Sequence, residues 1–317
     1  MIDRDNPLWC ERYRPHTVKD CILPESLKVM FQKFVDDKSV PNLLLTGSSG
    51  VGKTTIARAM LEEIGADYIV INGSMNGNID TLRNEIMAFA STVSFFGGRK
   101  YVILDEADYL NANSTQPALR NFMEEYSGNC GFIMTCNFKN KIIQPLHSRC
   151  SVIDFNILPT DKRLMGALFM DRMEMVLKAE SVQYTPQVLA ELVKKYMPDW
   201  RRCINELQRY ATGSTTRTID AGILALMVDV DIKELVKSLK AKDFTTMRKW
   251  IGQNSTTDVT ALFRRLYDNA SELLNPESVP MLIVHLGEYQ YKAAFVADAE
   301  INLAACLTEI MHDCTFK

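Results

Sequence analysis

From Gly47 onward the chain reads Gly47-Ser48-Ser49-Gly50-Val51-Gly52-Lys53-Thr54, which matches the phosphate-binding pattern G-x-x-x-x-G-K-[ST]. The apolar run Asn42-Leu43-Leu44-Leu45-Thr46 precedes it and reads as a buried parallel strand, while the run from Thr55 to Leu61 favours a helix. Glycines let backbone N–H groups turn toward an anion, Lys53 can reach the β and γ phosphates, and the Thr54 hydroxyl can hold Mg²⁺. This context predicts a site for a nucleoside triphosphate.

A second stretch, Tyr101-Val102-Ile103-Leu104-Asp105-Glu106, ends an apolar strand in two acids. This is the Walker B pattern, in which Asp105 belongs to the Mg²⁺ shell and Glu106 orients and activates the attacking water. A glutamate in the second position favours hydrolysis over a nucleotide switch. The alternative is that the two acids only cap the following helix.

Composition indicates a globular protein of two or three domains, since the chain has 317 residues, 47% of them hydrophobic and 24% charged. The longest apolar runs fall far short of the roughly 18 residues of a membrane span, and the start at residues 1–6 is polar. We therefore expect a cytoplasmic protein, in the host cytoplasm if the source is viral, without a membrane partner. Eight cysteines form no C-x-x-C pair, which gives little support to a zinc module or disulfide framework. The net charge of −3 restricts any nucleic-acid contact to a few local side chains.

The order of strand and helix patterns predicts three domains. Residues 1–156 alternate apolar strands with helices, which predicts an α/β nucleotide-binding domain with a parallel sheet covered by helices on both faces. The strands are expected at 43–46, 68–72, 101–105, 131–137 and 151–155. After residue 155 we expect only helices, in a small lid at 157–228 and an all-α domain at 229–317 whose amphipathic helices end in a long run from 280 to 311. That last domain serves oligomerisation or is an ordinary core bundle of a monomer, and periodicity does not separate the two.

Three further polar groups bear on the chemistry. Asn137 ends the strand after Walker B, where its amide could bond the lytic water or the γ-phosphate, although an asparagine there is also a common turn former. Arg149, in Ser148-Arg149-Cys150, is hard to place on its own chain's nucleotide and could serve a neighbour's γ-phosphate. Arg201 opens a helix of the lid, from which it could fold back onto the γ-phosphate. Either arginine alone could instead form a surface salt bridge.

Together these motifs resemble the AAA+ subunits of sliding clamp loaders, of the replication factor C kind. The resemblance is dense from residue 8 to 208 and is closest to the phage type. Ser48-Ser49 stands where the family has Pro-Pro, and Pro198 stands where it has glycine. The matching segments are Leu8-Trp9-Cys10-Glu11-Arg12-Tyr13-Arg14-Pro15, Val70 to Ser74, Gly77 to Arg83, Leu104 to Asp108, Gln116 to Arg120, Met123 to Ser127, Ser148 to Cys150 and Asp199 to Gln208.

The resemblance implies roles for individual residues. Catalysis would fall to Lys53, Glu106, Asn137, Arg149 and Arg201, with Thr54 and Asp105 holding Mg²⁺. ATP would be bound by Cys10, Glu11, Arg12, Tyr13 and Ile22 around the adenine, by Gly50, Val51, Gly52, Lys53, Thr54 and Thr55 in the loop, and by Arg201. DNA contacts would come from Asn78, Ile79 and Arg83, and from Asn113 and Thr115.

It also implies an assembly. Copies of this chain and a distinct loader subunit would form a pentameric spiral with a helical collar, which opens the sliding clamp and places it on primer-template DNA. Several copies of a few basic groups could follow a phosphate backbone without a basic chain. The alternatives are a related AAA+ replication initiator or branch-migration helicase subunit, a P-loop kinase, and a loader subunit that does not hydrolyse ATP.

Overall fold

The computed structural model describes residues 6–75, 79–94, 97–213, 217–226, 232–254, 259–293 and 295–317. The chain divides into two units, residues 1–224 and 225–317. The three predicted domains remain a prediction. Among the described residues, no helix combines the length and the apolar character needed to cross a membrane.

The first unit is built on a five-stranded sheet in the order β2-β3-β4-β1-β5, and every described pair of its neighbouring strands is parallel. The strands fall where the sequence predicts them, at β1 Leu43–Thr46, β2 Tyr68–Asn72, β3 Lys100–Asp105, β4 Cys130–Cys136 and β5 Ser151–Asp154. The helices of this unit are α1 Trp9–Arg12, α2 Glu25–Asp36, α3 Lys53–Ile64, α4 Ile79–Ala90, α5 Thr115–Glu125, α6 Gln144–His147, α7 Pro159–Ala179, α8 Pro186–Tyr196, α9 Trp200–Gly213 and α10 Ala221–Leu226.

Both faces of the sheet are buried, because alternate strand residues point to opposite sides. Leu43 and Leu45 pack with Phe31 of α2 and Met60 of α3 in one apolar cluster. Leu44, between them, belongs to a second cluster with residues of α4 and α5. The predicted parallel sheet with helices on both faces is thereby confirmed.

The lid contradicts one expectation. We expected no strand after residue 155, but β6 Gln183–Tyr184 pairs in parallel with β7 Thr218–Ile219. A two-residue strand is too short to show an alternating pattern, so its sequence carries no periodic signal.

The second unit is helical over its described part, with a core of its own. Its helices are α11 Ile232–Lys240, α12 Phe244–Gln253, α13 Val259–Asp268, α14 Ala270–Leu273, α15 Val279–Ala293 and α16 Ala299–Asp313. The long run from 280 to 311 is divided between α15 and α16. Asp298 begins α16 as its N-cap, since its carboxylate accepts hydrogen bonds from the backbone N–H groups of Glu300 and Ile301 at 2.8 and 3.2 Å.

Candidate nucleotide-binding and catalytic site

The phosphate-binding loop joins β1 to α3 at the carboxyl edge of the sheet. Gly50 and Gly52 have φ angles of +74° and +99°, a left-handed region that costs little for glycine alone. Gly52 immediately precedes α3, so the loop delivers its backbone to the helix N-terminus, where unpaired N–H groups favour an anion. The local fold is that of a phosphate site.

Lys53, the first residue of α3, lies buried beneath this loop with 8% of its surface exposed. Its Nζ donates to the carbonyl oxygens of Gly47 and Ser48 at 2.7 and 2.8 Å and to Asn137 Oδ1 at 2.9 Å. Burial lowers the pKa of the Lys53 ammonium. The structure thus brings two predicted catalytic residues, Lys53 and Asn137, into direct contact. Because an ammonium only donates, the Asn137 amide presents its oxygen here and keeps its NH₂ group for other acceptors.

Two hydroxyls converge on the Walker B aspartate. The Thr54 and Thr135 hydroxyls each donate to Asp105 Oδ1 at 2.6 Å. A carboxylate beside a threonine hydroxyl is an all-oxygen donor set, which is the kind that Mg²⁺ prefers. The residues present therefore fit this cation. Thr135 was not predicted as a site residue, and its only signal is a polar side chain within an otherwise apolar strand.

Glu106 follows in a strained conformation, with φ +55° and ψ +44°. Strain of this kind in a non-glycine residue concentrates at functional sites. Its backbone N–H donates to the Thr135 hydroxyl at 3.1 Å, and its side chain makes no capping hydrogen bond to the short turn that follows. The helix-capping alternative therefore has no support for Glu106.

Asp108 fixes the turn that carries Asn137. Its Oδ2 accepts hydrogen bonds from the backbone N–H groups of Asn137 and Phe138 at 3.2 and 3.1 Å, and the side chain is buried. The Asn137 amide is therefore held in place from two sides, by Asp108 through the backbone and by Lys53 through the side chain.

One pocket joins these groups to the N-terminal segment and the lid. Its lining includes Cys10, Tyr13, Ile22, Arg201 and the loop residues from Ser49 to Thr55, together with Asp105, Glu106 and Asn137. It also includes residues that sequence reasoning did not assign, notably Arg14, Phe169, Arg172 and Trp200. The rings of Phe169 and Trp200 stack at 4.4 Å. These four residues come from segments that only the tertiary fold brings together.

Two residues predicted at the adenine, Glu11 and Arg12, do not line this pocket. Arg12 Nη1 donates to Glu180 Oε1 at 2.6 Å, and the Tyr13 hydroxyl donates to the same oxygen at 2.7 Å. Burial and this bond raise the pKa of Tyr13 to about 12. Glu11 instead accepts a hydrogen bond from Arg14 Nε at 2.9 Å. The Arg12 and Glu11 side chains each pair with an oppositely charged partner, and their contact with adenine remains a prediction.

The lid docks directly on the phosphate-binding loop. The backbone N–H of Trp200 donates to the Gly50 carbonyl at 3.2 Å. Asp199 begins α9 by accepting a hydrogen bond from the Arg202 backbone N–H at 3.0 Å, in the manner of an N-cap. Arg201 lies on the same first turn and lines the pocket. The geometry gives Arg201 access to a nucleotide bound by its own chain.

Arg149 lies elsewhere and does not line that pocket. It pairs instead with Glu124 of α5, with Nε 2.9 Å from Glu124 Oε1. Its side chain is 32% exposed. Unlike Arg201, it is therefore not part of the nucleotide pocket of its own chain.

The residues predicted to contact DNA are spread over two helix starts. Asn78 lies outside the described residues, and Ile79 begins α4. Arg83 and Asn113 are exposed. Thr115 begins α5 fully buried, with 0% exposure, and its backbone N–H donates to the Asn111 carbonyl at 3.0 Å. Its contact with DNA remains a prediction that its burial does not support.

Comparison with known proteins identifies the family of this chain. Residues 43–157 match the family described as ATPases associated with various cellular activities, and residues 161–225 match the AAA+ ATPase lid domain of sliding-clamp-loader large subunits. The sliding-clamp-loader large subunit of Enterobacteria phage T4 is 34% identical over 313 residues, which is 97% of this chain and 96% of that protein. That of Escherichia phage RB69 is 33% identical over 314 residues, again 97% of this chain and 96% of the relative. The replication factor C small subunit of Sulfurisphaera tokodaii is 32% identical over 320 residues, 96% of this chain and 94% of the relative.

A solved structure, the RuvB Holliday junction branch migration motor of Thermotoga maritima, superposes with a TM-score of 0.53 over 74% of this chain and 80% of that one. Its identity of 16% establishes a shared fold alone. The sequence relatives, by contrast, match over almost the whole length at about twice that identity. The chain therefore belongs to the family of sliding-clamp-loader large subunits and replication factor C small subunits, and it is an AAA+ ATPase.

Proposed function

We propose that this chain is the ATPase subunit of a sliding clamp loader, which uses ATP binding and hydrolysis to open the polymerase processivity clamp and place it on primer-template DNA. The observation that carries the proposal is the convergence of Lys53, Asp105, Glu106 and Asn137 with the lid residue Arg201 around one pocket. Full-length relatives named for clamp loading support it.

In the proposed mechanism the chain's own groups bind and orient the triphosphate. The backbone of the loop and the Lys53 ammonium neutralise the β and γ phosphates. Thr54 and Asp105 would hold Mg²⁺, which supplies charge neutralisation at the phosphates when it is bound. The Asn137 NH₂ group, kept free of Lys53 by the amide orientation, donates to the lytic water or the γ-phosphate.

Glu106 accepts a proton from the attacking water, and Arg201 stabilises the charge that develops on the γ-phosphate. In this scheme Arg149 acts on a neighbouring subunit. Its absence from the lining of its own chain's pocket supports a role in trans. A site completed across an interface requires an assembly, and we infer that copies of this chain combine with a distinct loader subunit in a pentameric spiral.

The second unit would then form the collar, and DNA would pass inside the spiral. The proposed DNA contacts are Asn78, Ile79, Arg83 and Asn113, with Thr115 the least supported because it is buried. The exposure of Arg83 and Asn113 is compatible with that role. Because the chain carries a net charge of −3, such contacts must be local and repeated around the assembly.

The test is ATP hydrolysis by the assembled complex with and without clamp and primed DNA, followed by a mixing experiment. Lys53→Ala chains have an inactive pocket and an intact arginine, and Arg149→Ala chains have the reverse. If Arg149 acts in trans, mixing the two chains restores hydrolysis at shared interfaces, while each variant alone loses about 10³-fold or more. A kinase acting as a monomer, or an arginine acting in cis, gives no rescue at any mixing ratio.

A further inference from the structure

The guanidinium of Arg149 is anchored through all three of its nitrogens, but not through all of its N–H groups. Its Nε donates to Glu124 Oε1 at 2.9 Å, and its Nη2 donates to the same carboxylate oxygen. Its Nη1 donates to the Pro145 carbonyl at 3.0 Å. A guanidinium carries five N–H groups, so these bonds, taken over the described residues, leave one N–H on each terminal nitrogen. Two such groups can bind two phosphoryl oxygens at once.

Both anchors belong to rigid parts of the fold. Glu124 is in the last turn of α5, next to Met123, which is 3% exposed in the core beneath the sheet. Pro145 is in α6, next to Leu146, which is fully buried. The Ser148 hydroxyl also donates to the Pro145 carbonyl at 3.0 Å, so the turn that carries Arg149 is tied to the same atom as its side chain.

The solvent exposure of the ion pair between Arg149 and Glu124 argues against a role in stabilising the fold. The side chains of Arg149 and Glu124 are 32% and 57% exposed, and ion pairs this open to solvent contribute little to stability. The ion pair does fix the long side chain of Arg149. A free arginine would lose much rotamer freedom on being fixed in a complex. Hydrogen bonding and the charge of Arg149 lower the pKa of the Glu124 carboxyl, which keeps it ionised at neutral pH.

We propose that Glu124 is the positioning residue for Arg149, holding its guanidinium in place and leaving two N–H groups to the γ-phosphate of a neighbouring subunit. The inference rests on the proposed action of Arg149 in trans. Glu124 touches no reacting atom. It removes in advance the conformational freedom that Arg149 would otherwise lose during phosphoryl transfer.

The experiment compares Glu124→Gln with Glu125→Gln in the complete assembly with clamp and primed DNA. Glu125 is the next residue, is also exposed, and its change removes the same charge. We expect Glu124→Gln to lower kcat about 10-fold to 100-fold, the range of a small misplacement of a reacting group, with KM and ATP affinity within about twofold. Glu125→Gln should match the wild type. Glu124→Asp, which keeps the charge one methylene shorter, should recover part of the loss.

A second arm isolates single interfaces. The Lys53→Ala chain with Glu124→Gln added should rescue Arg149→Ala chains less well than Lys53→Ala alone, because only the arginine donor differs. If Glu124→Gln leaves kcat unchanged, or raises it because the carboxylate competes with the phosphate, the inference about Glu124 is overturned while the role of Arg149 stands. If Arg149→Ala itself leaves hydrolysis unchanged, the trans role and the Glu124 inference fail together.

Discussion

Replacing Gly50 with alanine tests how the lid and the phosphate-binding loop are coupled. The φ of Gly50 is +74°, and a Cβ added there would lie 1.8 Å from Asp199 Oδ1 and 2.6 Å from its Cγ. The left-handed backbone costs alanine about 1–2 kcal/mol. Relieving the overlap requires the Asp199 side chain to leave its N-cap position or the start of α9 to move, which costs about a further 1–3 kcal/mol by the usual scale of overpacking. We expect a total loss of roughly 2–5 kcal/mol in the free energy of unfolding.

Gly65→Ala is the matched control. Gly65 ends α3 with a φ of +73°, and among the described residues no atom lies within 4 Å of an added Cβ. It should therefore lose only the backbone cost of about 1–2 kcal/mol. The difference between the two variants, about 1–3 kcal/mol, measures the contact with Asp199. Urea denaturation gives both values, and calorimetric titration should show weaker ATP binding for Gly50→Ala alone, since the shift displaces Arg201.

Asp199→Ala supplies the rescue. Alone it should cost about 1 kcal/mol, because it removes the N-cap of α9. In the Gly50→Ala background, Asp199→Ala also removes the atoms that clash with the added Cβ. The double variant should therefore lose less stability than the sum of the two single variants, by an amount near the overpacking cost. Additive losses, or a Gly50→Ala variant no less stable than Gly65→Ala, would refute the claim that the lid packs directly on the loop.

Three further changes test single contacts. Glu106→Gln should leave ATP affinity nearly unchanged, since Thr54 and Asp105 remain, but it should abolish most hydrolysis because the proton acceptor is lost. Loss of ATP binding in a titration would contradict the water-activating role. Arg83→Ala should weaken primer-template binding similarly across sequences and reduce the slope of log affinity against log salt by about one phosphate contact; an unchanged slope would make it an ordinary surface residue. Glu180→Gln should weaken ATP binding several-fold but leave inorganic triphosphate binding unchanged, because its partners lie on the N-terminal side of the pocket; equal losses for both ligands would argue against that explanation.

The sheet was predictable because its strands are apolar runs that end in polar residues. Leu43–Thr46 and Tyr68–Asn72 begin and end at the predicted residues. The phosphate loop, Lys53 and the Walker B acids followed from local pattern, since their roles depend on a strand before the loop and a helix after it. The sequence pattern did not show which strands lie side by side in the sheet. Thr135 reaches Asp105 only because β4 lies beside β3.

Longer-range contacts were beyond sequence reasoning for the same reason. Arg12 pairs with Glu180, which is 168 positions away, so no local spacing could have revealed that partner. Thr115 stands at a helix start, which suggested access to a phosphate backbone, but the rotation of α5 buries it. By contrast, the start of α16 could have been predicted from the sequence, since Asp298 is a typical N-cap residue before a helical run.

The division of the arginines between two sites explains how assembly would control the reaction. Within one chain, the sheet edge and the lid bring Lys53, Glu106 and Arg201 to a common pocket, so the residues proposed to bind ATP and to activate water lie in the same molecule. Arg149 is held by Glu124 away from that pocket, and a P-loop enzyme lacking such an arginine hydrolyses slowly even with every other group in place. Hydrolysis by the isolated chain should therefore be limited by the missing charge rather than by ATP affinity. An assembly that brings Arg149 of one subunit to the pocket of the next would raise kcat without strengthening ATP binding in proportion, because the developing charge that the arginine stabilises is greatest in the transition state.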